Sequence, residues 1–316
     1  MRVVNPLSTF GAGLVAVLLT ALLVAGCSGG GRQSLPTGES APVAQAEPLA
    51  VEDLSPATLL DLKDLPAEAR LDLAVLRAAY PGAVQGLERG KTGHLLLVLT
   101  GNRRFVYDDG KMRTARQALD EPDIRTMLAQ VYPLGPVTET SSRPVQGFDP
   151  GRSRVEPLFG ALYGRTEAGL RGTLVRVPFL KRAPMFTTRF GAAEALGRVG
   201  KRLATLQHDH PDYRRILWPL GGTFVWREIA GTNRLSMHSF GIAIDLNPSL
   251  PYWRTEPHPE TMPARRKAFP PEILAAFEAE GFIWGGKWAA FDLMHFEYRP
   301  ELILKAKALA GQVALP

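Results

Sequence analysis

The chain of 316 residues holds one cysteine, Cys27. A single thiol excludes any disulfide framework within the chain, so the fold must rest on an apolar core and polar contacts. Nowhere does a serine precede a lysine by three positions, which excludes the Ser-x-x-Lys arrangement of serine acyl-transfer enzymes. His-Glu-x-x-His is missing as well, and with it that helical zinc signature. There is no basic module interleaved with aromatics, so nucleic acid is not an expected partner. The net charge of +6 is a modest excess, of the sign that favours an anionic wall or membrane surface.

What is present begins with an address. Arg2 and the amino terminus precede an apolar run, Phe10 to Ala25, interrupted only by glycine and Thr20. That run falls short of the roughly 20 residues that span a bilayer comfortably. Leu23-Val24-Ala25-Gly26-Cys27 resembles the lipobox of bacterial lipoproteins, in which cleavage precedes a cysteine whose thiol is lipidated. The alternative is an uncleaved anchor helix with an incidental cysteine. The resemblance implies a signal peptide over 1–26 and lipidation at Cys27. It places the mature chain in the cell envelope, lipid-anchored and facing the periplasm or cell wall. Ser28 fits the outer membrane if the host is Gram-negative. Residues 27–56, rich in Gly, Ser, Pro, Ala and Gln, read as a flexible, disordered linker.

From residue 57 the composition becomes globular. Leu59, Leu60, Leu62 and Leu65, then Leu71, Leu73, Val75 and Leu76, predict short helices broken at Pro66. His94 to Thr100 and Arg104 to Tyr107, about a turn at Gly101-Asn102, predict a β-hairpin. Ile124 to Val131 predicts a short helix. No chemistry is evident there, so residues 57–146 are expected to be a small α/β supporting region, with a catalytic domain over 147–316.

Within that second region Leu174 to Leu180 is a candidate strand. Ala192, Leu196, Val199, Leu203 and Leu206 recur at helical spacing and predict an amphipathic helix. His208-Asp209-His210 at its end reads as a solvated terminus rather than a metal site. Pro248 to Pro270 is expected to be a long loop carrying Tyr252, Trp253, Arg254, His258 and the basic run Arg265-Arg266-Lys267, either a substrate-contacting flap or a plain connection. Pro271 opens a helix that Gly281 closes. Trp284, Trp288 and Phe296 are expected to pack around the segment that follows.

Two segments carry the candidate chemistry, Ser236-Met-His238-Ser-Phe-Gly241-Ile-Ala243-Ile-Asp245 and Asp292-Leu-Met-His295-Phe-Glu297. Between Gly241 and Asn247 the residues alternate as in a half-buried strand, with Ile242, Ile244 and Leu246 on one face and Ala243 and Asp245 on the other. Gly241 has the freedom at positive φ to bend the chain so that His238 returns toward Asp245. Asp292 and His295 share a face only if the chain turns at Leu293-Met294. His238, Asp245 and His295 meet the count of three protein ligands usual for a catalytic zinc. Spacing by itself favours such a site weakly, since a lone His or Asp is commonly a surface or hydrogen-bonded residue.

The full string resembles the zinc peptidases of the VanY-like D-alanyl-D-alanine carboxypeptidase and L-alanyl-D-glutamate endopeptidase superfamily. Their pattern is S-x-H-x-x-G-x-A-x-D followed by an acidic residue three before a second His, and every element is present. Gly221 to Leu235 and Gly281 to Trp288 extend the likeness, which covers about Phe148 to Leu302. Leu293 departs from the small polar residue expected there, at a position that is not a ligand.

The resemblance implies an α+β fold, a small mostly antiparallel sheet flanked by helices. It implies Zn²⁺ on His238, Asp245 and His295, with Asp292 as the general base. Arg227 matches a strand arginine that stabilises the tetrahedral intermediate in related enzymes, its alternative being a surface salt bridge. Ser236 and Arg234 are candidates for binding the substrate carboxylate or backbone. The expected activity is hydrolysis of amide bonds in peptidoglycan stem peptides, as a D-alanyl-D-alanine carboxypeptidase or as an L-alanyl-D-glutamate endopeptidase. A non-catalytic wall-binding lipoprotein is the alternative of another class, and retention of Asp292 with all three ligands speaks against it.

Overall fold

The computed structural model describes residues 50–51 and 56–315. The expected signal peptide, Cys27 and nearly all of the linker lie outside the described residues. The fold is α+β, with three small antiparallel sheets flanked by helices.

In the first sheet β1 (Ala50–Val51), β2 (Val84–Arg89), β3 (Leu95–Leu99) and β4 (Arg103–Asp108) run in the order β1-β4-β3-β2. The expected hairpin is β3–β4. Both of its turn residues, Gly101 at φ 77° and Asn102 at φ 56°, take the left-handed conformation that matches the twist of the flanking strands. Every residue of β3 is buried, which is why its five positions read as an unbroken apolar run. Helix α1 (Ala67–Ala79) starts directly after Pro66. Helices α2 (Ala115–Asp120) and α3 (Ile124–Leu128) follow, the first opened by a capping box between Thr114 and Gln117.

Helices α4 (Glu156–Tyr163) and α5 (Glu167–Arg171) lead into the second sheet, β5 (Leu174–Arg176) with β6 (Met185–Thr187). The candidate strand at 174–180 ends at Arg176, because the chain turns back through Leu180 at φ 52° and bridges Phe179 to Arg182. The amphipathic helix is α6 (Ala192–Asp209), which buries Leu196, Val199 and Leu203. His208, Asp209 and His210 at its end are exposed, as expected. Helix α7 (Arg214–Leu217) follows.

The third sheet carries the site. It consists of β7 (Ala243–Asp245), β8 (Phe282–Trp284) and β9 (His295–Tyr298) in the order β7-β9-β8. Helices α8 (Met262–Lys267), α9 (Pro271–Glu278) and α10 (Pro300–Leu309) complete the chain. Phe277 of α9 stacks on Phe296 of β9 at 3.8 Å between ring centroids, and Trp284 lies 6.3 Å from the same ring.

The stretch from Pro248 to Pro270 is not the uninterrupted loop expected. Helix α8 lies within it, and its basic run is divided among different surroundings because successive helical residues point about 100° apart. Arg265 pairs with Glu256 at 3.3 Å and Lys267 with Glu139. Arg266 is buried, donates to the carbonyls of Ser142 and Trp288, and lies over the Phe291 ring. Burial pushes its guanidinium down to about 10.

One apolar core runs from Leu65 to Ile303 and draws on both halves of the globular chain. Tyr132 donates to Glu278 at 2.8 Å, and Lys287 joins the same carboxylate at 2.6 Å. Asp149 is buried as well, accepting from the backbone N–H of Arg152 at 3.0 Å. Burial, reinforced by the charge of Glu297 against the hydrogen bonds it accepts, pushes its carboxyl up to about 7.

An aspartate raised in this way binds its proton more tightly folded than unfolded. Its contribution to stability is therefore largest below the unfolded value of about 3.9 and declines as pH rises toward about 7. Asp149→Asn should melt near the wild type at pH 4 and increasingly above it up to pH 7, with a constant difference beyond. Calorimetry at stepped pH checks this, and a difference that does not grow with pH contradicts it.

Candidate metal centre

The two motif segments are joined by the sheet. In the antiparallel register of β7 and β9, Asp245 lies directly opposite His295, and paired residues of this kind present their side chains on the same face. Their contact follows, with His295 Nδ1 at 2.8 Å from Asp245 Oδ1.

His238 arrives from outside the sheet. It lies on a short 3₁₀ turn, Met237–Phe240, capped by the Ser236 side chain and ended by Gly241 at φ 66°. The positive φ is what favours glycine here; a β-carbon would also meet Leu174 Cδ2 at 2.7 Å, a side-chain end that can move aside. The bend places His238 Nε2 at 3.2 Å from Asp245 Oδ2. On the other side of Asp245, Gly221 packs so closely that a β-carbon there would lie 2.9 Å from Asp245 Cβ.

The required turn before His295 is present. Leu293 and Met294 form a bend, and Met294 N–H donates to the Asp292 carboxylate at 3.3 Å, an Asx turn that frees the chain from strict alternation. Asp292 N–H donates to Gly285 O at 3.0 Å, and Tyr252 bridges Asp292 from the other side.

One atom each from His238, Asp245 and His295 lies within 4.8 Å of the others. Donors placed about 2.1 Å from a tetrahedral ion stand about 3.4 Å apart, and the two histidine–aspartate contacts of 3.2 and 2.8 Å are of that size. The far side of each ring is also fixed. His238 Nδ1 meets the carbonyl of Thr223, and His295 Nε2 meets Glu297 Oε1 at 3.0 Å. Each imidazole thus spends one nitrogen on the protein and turns the other toward Asp245, the arrangement that selects tautomer and orientation in metal-binding histidines. The donor set and its outer partners fit a zinc ion.

The charges are tightly coupled. Burial would raise the Asp245 carboxyl, but hydrogen bonds from both histidines hold it far below the usual carboxylate range. Burial would lower His295, but hydrogen bonds to Asp245 and Glu297 hold it well above the usual imidazole range. Asp292 moves the other way. Burial pushes it up to about 6, with the charge of His295 opposing and that of Asp245 adding to the rise. It interacts electrostatically with all three members of the cluster without joining it.

Arg227 is exposed on an extended segment outside any strand, since the local pairing is a bridge between Glu228 and Leu235. Its backbone is anchored beside His238. Arg227 N–H donates to Ser239 Oγ, which donates in turn to Arg227 O, both at 2.9 Å. Ser236 is buried, with its hydroxyl capping the turn that bears His238. Arg234 directs its guanidinium inward, to the carbonyls of Arg154 and Leu119 and toward Glu156. Trp253 is 49% exposed, with Arg254 over its ring, and its N–H donates to Phe291 O one residue before Asp292. Tyr252 and Trp253 therefore run beside the segment that bears Asp292.

Thr223 lies outside the two motif segments, and Ser239 and Glu297, though within them, have no role assigned by sequence. Glu297 had a readable signal: His295 and Glu297 are two apart on one strand and so share its face.

A family model described as D-alanyl-D-alanine carboxypeptidase matches residues 230–298. The matched stretch contains His238, Asp245, Asp292 and His295 and begins after Arg227, and it bears out the superfamily resemblance seen in the motifs. No curated protein and no solved structure gives a significant match to the chain. The family match and the His-Asp-His cluster together support a metallopeptidase in general.

Proposed function

We propose that the chain is a zinc peptidase of the cell envelope that hydrolyses amide bonds of peptidoglycan stem peptides, with D-alanyl-D-alanine carboxypeptidase activity. The observation that carries this reading is the pair of imidazoles, each fixed at its far nitrogen and turned toward one aspartate.

His238, Asp245 and His295 would hold the ion. A zinc there supplies an activated water and polarises the scissile carbonyl. Asp292 takes the proton of the attacking water and delivers it to the departing amine. A carboxyl pushed up to about 6 is suited to accepting and releasing that proton near neutrality. Arg227, exposed and with a firmly held backbone, would stabilise the developing oxyanion. Lipidated Cys27 would tether the enzyme to the membrane beside its substrate.

Arg227→Ala should lower kcat by about 10²–10³-fold, the usual cost of losing one oxyanion donor, with zinc affinity unchanged. Steady-state kinetics beside a zinc competition titration checks this. A change confined to KM would move Arg227 to ground-state binding.

Digestion of pentapeptide muropeptides by the full chain, read by mass spectrometry, tests the activity. Loss of one alanine establishes the carboxypeptidase. Release of the stem beyond L-alanine would establish the endopeptidase instead, and binding without any product would support the wall-binding alternative.

A further inference from the structure

The contact between His295 and Glu297 is the first step of a longer buried chain. Alternate positions His295, Glu297, Arg299 and Glu301 all carry ionisable side chains that contact one another in turn, with Phe296, Tyr298 and Pro300 between them. Glu297, Arg299 and Glu301 are 3%, 0% and 0% exposed. Glu297 Oε1 holds His295, and Glu297 Oε2 lies 3.5 Å from Arg299 Nη1, an ion pair too long for a hydrogen bond. Arg299 Nε donates to Glu301 Oε1, and Glu301 Oε2 accepts from the Tyr80 hydroxyl at 2.7 Å. Arg299 is held further by Pro150 O at 2.9 Å and by the Phe159 ring. Arg154, also buried, adds a second positive charge near Glu297.

Tyr80 closes α1, so the chain of contacts starts in the region that showed no chemistry in sequence and ends on a candidate metal ligand. Stability does not account for it. Taking several charges out of water costs more than their mutual attraction commonly returns, and well-packed apolar residues would serve the fold as well or better. A row of fixed charges does determine where a carboxylate sits. Glu301 holds the Arg299 guanidinium on its own side, and Arg299 is thereby kept from drawing Glu297 away from His295.

We infer that Arg299, Glu301 and Tyr80 are positioning residues that act through Glu297 to hold His295 with Nδ1 turned toward Asp245. The 57–146 region is then a working part of the metal centre. This inference rests on the zinc reading above.

The test is zinc affinity of the full chain by competition with a chromophoric chelator, beside the melting temperature of the metal-free protein. Glu297→Gln should weaken zinc binding by about 10–100-fold and Glu301→Gln by about 10-fold, the range seen when outer partners of metal-binding histidines are lost. Tyr80→Phe preserves the packing of the ring and should shift affinity in the same direction by less, while the metal-free protein melts lower because buried Glu301 loses a donor. It decides the matter if Glu301→Gln fails to fold. Zinc affinities of Tyr80→Phe and Glu301→Gln both within about twofold of wild type would overturn the positioning role, whatever their stabilities. A wild type that binds no zinc would overturn the metal-centre reading itself.

Discussion

Asp292→Asn should lower kcat by about 10²–10⁴-fold, the range attributable to a positioned general base, with zinc affinity and KM near wild type. Asparagine is isosteric and can still accept from Met294 N–H, so the turn that sets the 292–295 segment survives. What it cannot do is take a proton. The pH profile gives an independent reading. Burial pushes the carboxyl up to about 6 in the metal-free protein and a bound cation would draw it down from there, so wild-type kcat/KM should fall on an acid limb at or below about pH 6. The residual activity of Asp292→Asn should lack that limb. Retention of more than about a tenth of the wild-type kcat would remove Asp292 from the proton transfer.

Asp245→Ala should abolish stoichiometric zinc binding, and with it hydrolysis, because the aspartate is the residue that both histidines face. It should also destabilise the metal-free protein, by about 3–5 kcal/mol where the cluster is charged, as for removal of one partner from a buried ion pair. The pH window follows from the shifts. Asp245 lies below its unfolded value, so its contribution is present above about pH 3.9 and is lost as pH falls through the depressed folded value. His295 lies above its unfolded value, so its contribution is complete below about pH 6.5 and is lost as pH rises through the elevated folded value. Urea unfolding of metal-free wild type and variant should therefore differ most between about pH 4 and 6.5. A difference independent of pH would mean that the loss is one of packing.

The parts of this fold that were legible are those in which one local rule decides the outcome. Alternation about Ile244 placed Asp245 opposite the apolar face, and the spacing of Asp292 and His295 required the bend that is present at Leu293-Met294. The helix at Ala192–Asp209 followed from its apolar stripe. What was not legible depends on contacts distant in sequence. Strand β2 contains Gly86 and a register shift between Val84 and Gly86, which blurs its alternation. Arg266 looked like part of a solvated basic run and is buried, because its partners Ser142 and Trp288 come from elsewhere in the chain. Thr223 contributes only a carbonyl to His238, and a backbone acceptor leaves no mark on residue type. Glu297 could be placed beside His295 by strand geometry, whereas its coupling through Arg299 and Glu301 to Tyr80 required α1 to be seen against α10.

The most direct measurement is reconstitution of the metal-depleted full chain with zinc, followed by digestion of a pentapeptide muropeptide. The His238–Asp245–His295 centre predicts no product from the metal-free protein, full recovery of activity at one equivalent of zinc, and no recovery in Asp245→Ala. Activity that survives removal of the metal, or that zinc restores equally to Asp245→Ala, would contradict a zinc centre on these three residues.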